Sequence, residues 1–225
     1  MGEVIGDVLP LAIGIAISPI PIITVILTLL SRHAGKTGAG FLLGWVAGIV
    51  VVTVLVLLLV SQAGDASGGK PSTVSSILTL VFGALLLFMA LRQWKARPKQ
   101  GEVGTMPKWT AAIDTFTFGK AARLGLVLSA LNPKNLLMCL GAGTTIGAAH
   151  LSGGHDLIVV AVFAMLASSS VGIPVVFYLL SREKAEASLI ELRGWLTQNG
   201  AAVMAVLLLV IGAVLVGNGV GGLSG

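Results

Sequence analysis

The protein has 225 residues, of which 56% are hydrophobic and only 10% are charged, and its mean hydropathy is +1.00. So few charges cannot cover a water-soluble domain of this size, which excludes that class and indicates a polytopic membrane protein. The single cysteine, Cys139, excludes a disulfide framework and a Cys-x-x-Cys redox centre.

Six apolar segments are long enough to cross a bilayer, since a helical span needs about 20 residues. They cover residues 4–30, 39–60, 74–91, 124–148, 157–180 and 201–216. The first is too long and too rich in proline for a signal peptide, so we expect it to be retained. The sequence therefore predicts an all-α polytopic membrane protein with one transmembrane domain, 1–225. Its two halves are residues 4–91 and 124–217, joined by a cytoplasmic connector, 92–123.

The positions of the basic residues predict the orientation of these spans. Of the 14 lysines and arginines, all except Lys70 and Lys134 lie in connectors that follow the first, third and fifth spans. Because such residues stay in the cytoplasm, both termini are expected on the outer side of the membrane. The formal net charge of +5 thus reflects topology, and it does not indicate nucleic acid as a partner.

Two further patterns concern packing. An amphipathic helix on the cytoplasmic membrane surface is predicted from the helical spacing of Trp109, Ile113 and Phe116. Close helix packing, either within the chain or across a homodimer, is predicted from Gly40, Gly44 and Gly48.

Proline follows a helix-capping residue inside both the first and the fourth span. The residues are Ser18, Pro19 and Pro21 in the first, and Asn132, Pro133, Lys134 and Asn135 in the fourth. Serine and asparagine cap helices, and proline is favoured at the first helical position, so each helix should stop and restart near mid-membrane. Interrupted helices at corresponding positions of two inverted halves are typical of a transporter's binding site. The sequence therefore predicts two inverted three-helix repeats.

The same residues form the candidate substrate-binding site. Restarted helices would direct positive dipole ends towards the protein centre, where Lys134 adds a cation. No acidic residue lies deep in a predicted span, so this centre suits an anionic or carboxylate-bearing solute rather than a divalent cation. Alternatively, the asparagines only bridge helices and Lys134 snorkels to the membrane interface. The serines at 168–170 are expected either to line the cavity or to bond their own helix.

The sequence indicates neither a metal site nor a cofactor. His150, His155 and Asp156 share one connector, but they lack the rigid spacing of metal ligands. The chain contains no nucleophile elbow, phosphate-binding loop or dinucleotide-binding motif. An intramembrane enzyme is therefore the least favoured class.

Two segments carry a resemblance to a known family. KAARLGLVLSALNPKNLLMCLGAGTTIGAA (residues 120–149) and ISPIPIITVILTLL (residues 17–30) resemble the Gap/Sap family of actinobacterial glycolipid-addressing membrane proteins, within the lysine-exporter superfamily. The resemblance implies a multi-pass protein of the bacterial inner membrane with six helices in two inverted repeats, and a role in moving cell-envelope lipids towards the surface. It also implies membrane lipids as partners. The chain lacks the acidic motifs of the cation-exchanging branches and the cysteines of the redox branch.

Three functions remain open from the sequence. The first is a transporter whose lipid substrate has an anionic or polar headgroup that binds between the first and fourth spans. The second is an exporter of small, amino-acid-like solutes with the same site. The third is a non-transporting assembly factor that escorts an envelope lipid-export complex, whose proteins would then be its partners.

Overall fold

The computed structural model describes residues 1–64, 73–98, 113, 115–152 and 154–224. Within these residues the regular structure is entirely helical, which confirms the all-α prediction. The helices are α1 (Gly2–Ala16), α2 (Pro19–Leu29), α3 (Ala34–Gly64), α4 (Thr73–Lys95), α5 (Phe118–Ala130), α6 (Pro133–Ala148), α7 (His155–Leu180) and α8 (Arg182–Ser224).

Both predicted interruptions are present, and each helix restarts at the predicted proline. The chain bends by 56° between α1 and α2 and by 67° between α5 and α6. A proline disfavours the α region for the residue before it. Accordingly, Ser18 has φ −114° and ψ 106°, and Asn132 has φ −69° and ψ 119°. The two breaks are thus encoded locally.

Three helices are individually long and apolar enough to cross a membrane, namely α3, α7 and α8, and each bent pair also passes when taken as one span. The described residues therefore contain three to five candidate spans, which fits a membrane-embedded protein. The arrangement of six spans in two inverted repeats, with halves at 4–91 and 124–217, stays a prediction.

The last helix differs from the sequence prediction. Because α8 runs continuously through 43 residues, the polar connector expected before residue 201 and the Gly-rich tail expected after residue 216 are both helical, the tail as far as Ser224. Gly212 of the predicted last span and Gly219 of this tail pack against α4. A Cβ added to Gly212 would lie 2.9 Å from Leu87 Cγ, and one added to Gly219 would lie 2.8 Å from Leu80 Cβ. Close packing here outweighs the poor helix propensity of glycine.

The glycine stripe of α3 faces α5 of the same chain. A Cβ on Gly40 would lie 2.5 Å from the carbonyl oxygen of Phe118, and one on Gly44 would overlap the carbonyl oxygen of Ala122. A Cβ on Gly48 would overlap the hydroxyl of a serine further along α5. Of the two sequence alternatives for this stripe, close packing within the chain is therefore the one observed.

The predicted surface helix lies mostly outside the described residues, and so does Trp109. Ile113 and Phe116 are joined by a 2.9 Å hydrogen bond from the Phe116 N–H to the Ile113 carbonyl, which forms a single 3-10 turn. Ile113 is only 2% exposed, and Phe116 packs against the hydrophobic core. These two side chains therefore pack inward before Thr117 caps α5, and the surface helix as a whole stays a prediction.

Candidate functional site

The first break leaves a backbone carbonyl of α1 without its helical partner. In a continuous helix the N–H of Ser18 would donate to the carbonyl of Gly14, four residues earlier. Here the Ser18 N–H donates to Ala16 instead, and the Ile17 N–H donates to Ile13. The Gly14 carbonyl is buried beside α6 and α8, where a Cβ on this residue would lie 2.7 Å from Met138 Cε. A buried carbonyl in this position requires another donor.

Lys134 supplies that donor from the other half of the chain. Its Nζ donates to the Gly14 carbonyl at 2.5 Å and to the hydroxyl of Ser18. Lys134 is 3% exposed and Ser18 is 1% exposed, so the ammonium group is held inside the protein and does not snorkel. Ser18 makes no side-chain capping bond to α2, which leaves its hydroxyl free to accept from lysine.

At the second break, two neighbouring asparagines form hydrogen bonds with backbone groups that lack a helical partner. The side-chain oxygen of Asn132 accepts from the N–H of Lys134 at 3.1 Å, and so caps α6. Asn135 is fully buried, and its Nδ2 donates to the carbonyl of Leu128 at 3.2 Å. Leu128 precedes Asn132 by four residues, just as Gly14 precedes Ser18. Two adjacent side chains of α6 therefore satisfy the equivalent carbonyls of both breaks.

The electrostatics around Lys134 differ from the sequence prediction in one respect. The lysine belongs to the first turn of α6 but reaches the carboxyl end of α1, where the partial charge of a helix is negative and favours a cation. None of the Asp and Glu residues that the structure describes is buried. Among the described residues, the lysine thus has dipolar acceptors but no carboxylate partner.

Among the described residues, six buried side-chain polar atoms on α3, α6 and α7 have no hydrogen-bond partner, and they include Trp45 Nε1 on α3, Asn135 Oδ1 on α6 and Ser168 Oγ on α7. Such atoms are uncommon, since leaving one unsatisfied costs about 1–3 kcal/mol. Each is a donor or acceptor that remains available inside the helix bundle. The tryptophan was not predicted, because nothing in its local sequence distinguishes it from a core aromatic residue.

The predicted site residues divide into three groups. Ser18 and Lys134 meet directly across the two halves of the chain. Asn132 and Asn135 both form hydrogen bonds within the second break, between α5 and α6. The prolines shape the backbone: Pro19 and Pro21 are buried, whereas Pro133 is exposed. The backbone acceptors Gly14 and Leu128 were not predicted, although counting four residues back from each cap would have identified them.

Comparison with known proteins identifies the family. The family model described as Sap, sulfolipid-1-addressing protein, matches residues 8–221, so the chain belongs to this family. The resemblance noted from the Asn-Pro-Lys-Asn run is thereby confirmed at the level of the family. No match was found among curated proteins or among solved structures.

Proposed function

We propose that this protein is a membrane transporter that moves a cell-envelope lipid with an anionic or polar headgroup across the bacterial inner membrane. The single observation that carries the proposal is Lys134, a buried cation at the junction of two broken helices. A buried lysine is costly in a membrane protein and usually marks a functional site. Membership of a sulfolipid-addressing family favours a lipid substrate with a negative group.

The proposed architecture has six spans in two inverted repeats. α4 would be the remaining span, because its 23 residues extend about 35 Å at 1.5 Å per residue, which exceeds a hydrocarbon core of about 30 Å. The order of bent pair, helix, helix then occurs twice along the chain. An odd number of spans in each half inverts the second half relative to the first. The positions of the basic residues would place both termini outside.

In the proposed mechanism the substrate anion competes for Lys134. The ammonium group has three N–H donors, and two of them are occupied by Gly14 and Ser18. An anionic headgroup would bind the third and weaken the other two bonds. Because those bonds join the first break to the second, substrate binding would loosen one half against the other. Such coupling is what alternating access between two repeats requires.

Lipid translocation in proteoliposomes tests this proposal. A fluorescent sulfated glycolipid, a fluorescent phosphatidylcholine and radiolabelled amino acids are compared, with and without an imposed proton gradient. In Lys134→Gln the charge is removed but a donor remains for the Gly14 carbonyl. We expect this variant to move the sulfated lipid at least tenfold more slowly, since a charge-assisted hydrogen bond contributes about 1.5–3 kcal/mol.

The matched control is Lys120→Gln, which removes an exposed lysine from the first turn of α5 and should transport normally. Movement of amino acids in place of lipid would identify a small-solute exporter. Wild-type rates in Lys134→Gln would contradict the proposed site.

A non-transporting assembly factor is the second candidate. It is favoured by the fact that Lys134 and Asn135 already bond backbone carbonyls of the two breaks, a structural role that needs no substrate. This candidate predicts that the purified protein moves nothing. It also predicts that cells carrying Lys134→Gln display normal amounts of envelope lipid, provided that the variant reaches wild-type levels in the membrane.

A further inference from the structure

A second polar site lies at the opposite end of α2 from Ser18. An open pocket of about 430 Å³ is formed where the α2–α3 connector meets the α7–α8 junction, and its lining consists of Arg32, His33, Ala34, Gly35, Lys36, Tyr178, Leu179 and Arg182. Because α2 has 11 residues, the pocket is about 16 Å along the helix axis from the first break. It is therefore separate from the Lys134 site.

The charge of this pocket is strongly positive. Arg32, Lys36 and Arg182 contribute cations, and no carboxylate occurs among the described lining residues. The Nε of Arg182 donates to Glu186 at 2.9 Å, but Glu186 is outside the lining. The amino ends of α3 and α8 also begin here, and their partial positive charges favour an anion. The carboxyl ends of α2 and α7 also lie here and oppose them, so the positive charge of the pocket comes from the three side chains.

Tyr178 is an independent indication that this pocket binds a ligand. The residue is 5% exposed, it lines the pocket, and its hydroxyl has no hydrogen-bond partner by distance and angle among the described residues. The guanidinium group of Arg182 interacts with this hydroxyl, but a guanidinium only donates, so the tyrosine O–H has no acceptor in the described part of the chain. The guanidinium carbon of Arg182 lies 5.6 Å from the centroid of its ring. Buried tyrosine hydroxyls usually have a partner, so this donor lacks an acceptor that a bound anion would supply.

The backbone around the pocket is held by buried hydroxyl groups. Ser31 donates to the carbonyl of Thr28 at 2.7 Å, and Thr37 donates to the same carbonyl at 2.9 Å. The two side-chain oxygens are 3.2 Å apart. These bonds join the end of α2 to the first turn of α3, which fixes the segment that carries Arg32 and Lys36. A fixed segment loses less conformational entropy when a ligand binds.

We propose that this pocket binds an oxyanion of the phosphate or sulfate class, with Arg32, Lys36 and Arg182 neutralising its charge and the Tyr178 hydroxyl donating a hydrogen bond. Its volume lies within the range of about 300–1,000 Å³ that is typical of small-ligand sites. The same chemistry is offered by a phospholipid headgroup and by a free anion. Leu179 and Leu180, which are 61% and 79% exposed, would contact the acyl chains of a lipid. The proposal does not depend on transport.

Thermal unfolding of the purified full-length protein tests the proposal. One arm adds inorganic phosphate or sulfate in detergent, with chloride at equal ionic strength as reference. The other arm compares nanodiscs of phosphatidylglycerol with nanodiscs of phosphatidylcholine. We expect the midpoint to rise in at least one arm. A rise with phosphate or sulfate indicates a free anion, and a rise with phosphatidylglycerol alone indicates a headgroup. No rise in either arm would overturn the proposal.

Variants then locate the effect. Arg32→Gln and Arg182→Gln should each weaken anion binding by about tenfold or more, because each removes a charge-assisted contact. Tyr178→Phe keeps the ring and removes only the hydroxyl, and it should weaken binding about threefold to tenfold. The matched control is Lys184→Gln, an exposed cation two residues from Arg182 but outside the lining. Equal midpoint rises in the wild type and in all variants would overturn the proposal. If an arginine variant fails to fold, the comparison of Tyr178→Phe with the wild type tests the site instead.

Discussion

Replacing Lys134 with methionine tests whether the two halves of the chain are joined at their breaks. The variant keeps an unbranched side chain, one atom shorter than lysine, but leaves the Gly14 carbonyl and the Ser18 hydroxyl without their donor. Each unsatisfied group costs about 1–3 kcal/mol, and removal of a buried cation offsets part of this. We expect a net loss of about 1–3 kcal/mol in the free energy of unfolding, as a result of these opposing contributions.

A double-mutant cycle with Ser18→Ala isolates the bond between the two residues. In the Ser18→Ala background there is no hydroxyl for Lys134→Met to leave unsatisfied. Lys134→Met should therefore lower the free energy of unfolding by less in this background than in the wild type. A coupling energy of about 1–2 kcal/mol is expected for a buried hydrogen bond to a charged group. Unfolding in mixed micelles with increasing denaturing detergent measures all four proteins. Additivity within about 0.5 kcal/mol would refute the inference that this contact stabilises the fold.

Two other changes test the packing and the cap. Gly44→Val should destabilise the fold by about 1–3 kcal/mol or more, because its side chain would overlap the backbone of Ala122, which cannot rotate away. Gly119→Ala, which has open space, is the control, and equal stability of the two variants would contradict the α3–α5 interface. Asn132→Ala should cost about 1 kcal/mol through loss of the cap on the Lys134 N–H. Asn132→Ser should recover most of this lost stability when it is measured by the same unfolding in denaturing detergent. Stability as low as that of Asn132→Ala would argue against capping.

Features encoded by neighbouring residues could be predicted from the sequence. Ser18-Pro19 and Asn132-Pro133 identify the two breaks to the residue, because the effects of a cap and of a proline are local. The close packing of Gly44 was also predictable, although its partner helix was not. The helical spacing of Ile113 and Phe116 did not reveal that both side chains pack inward, since a short apolar repeat does not specify what its apolar face contacts.

The remaining features depend on contacts between distant parts of the chain. The Gly14 carbonyl is 120 residues away from Lys134 in sequence, so only the assembled fold shows that the lysine meets a helix carboxyl end. The continuity of α8 also depends on contacts with a part of the chain that is distant in sequence. The sequence indicates a Gly-rich tail around Gly219, but packing of Gly212 and Gly219 against α4 keeps this end of the chain helical.

Asn135 provides an internal comparison for the role of Lys134. The two residues are adjacent, and each donates to the carbonyl four residues before a break, Asn135 to Leu128 and Lys134 to Gly14. A neutral amide is therefore sufficient to satisfy such a carbonyl. A lysine in the same task adds the cost of burying a cation without a carboxylate partner in the described residues. Because capping alone does not require that charge, the charge itself is the strongest argument that the junction of the two breaks also receives an anion.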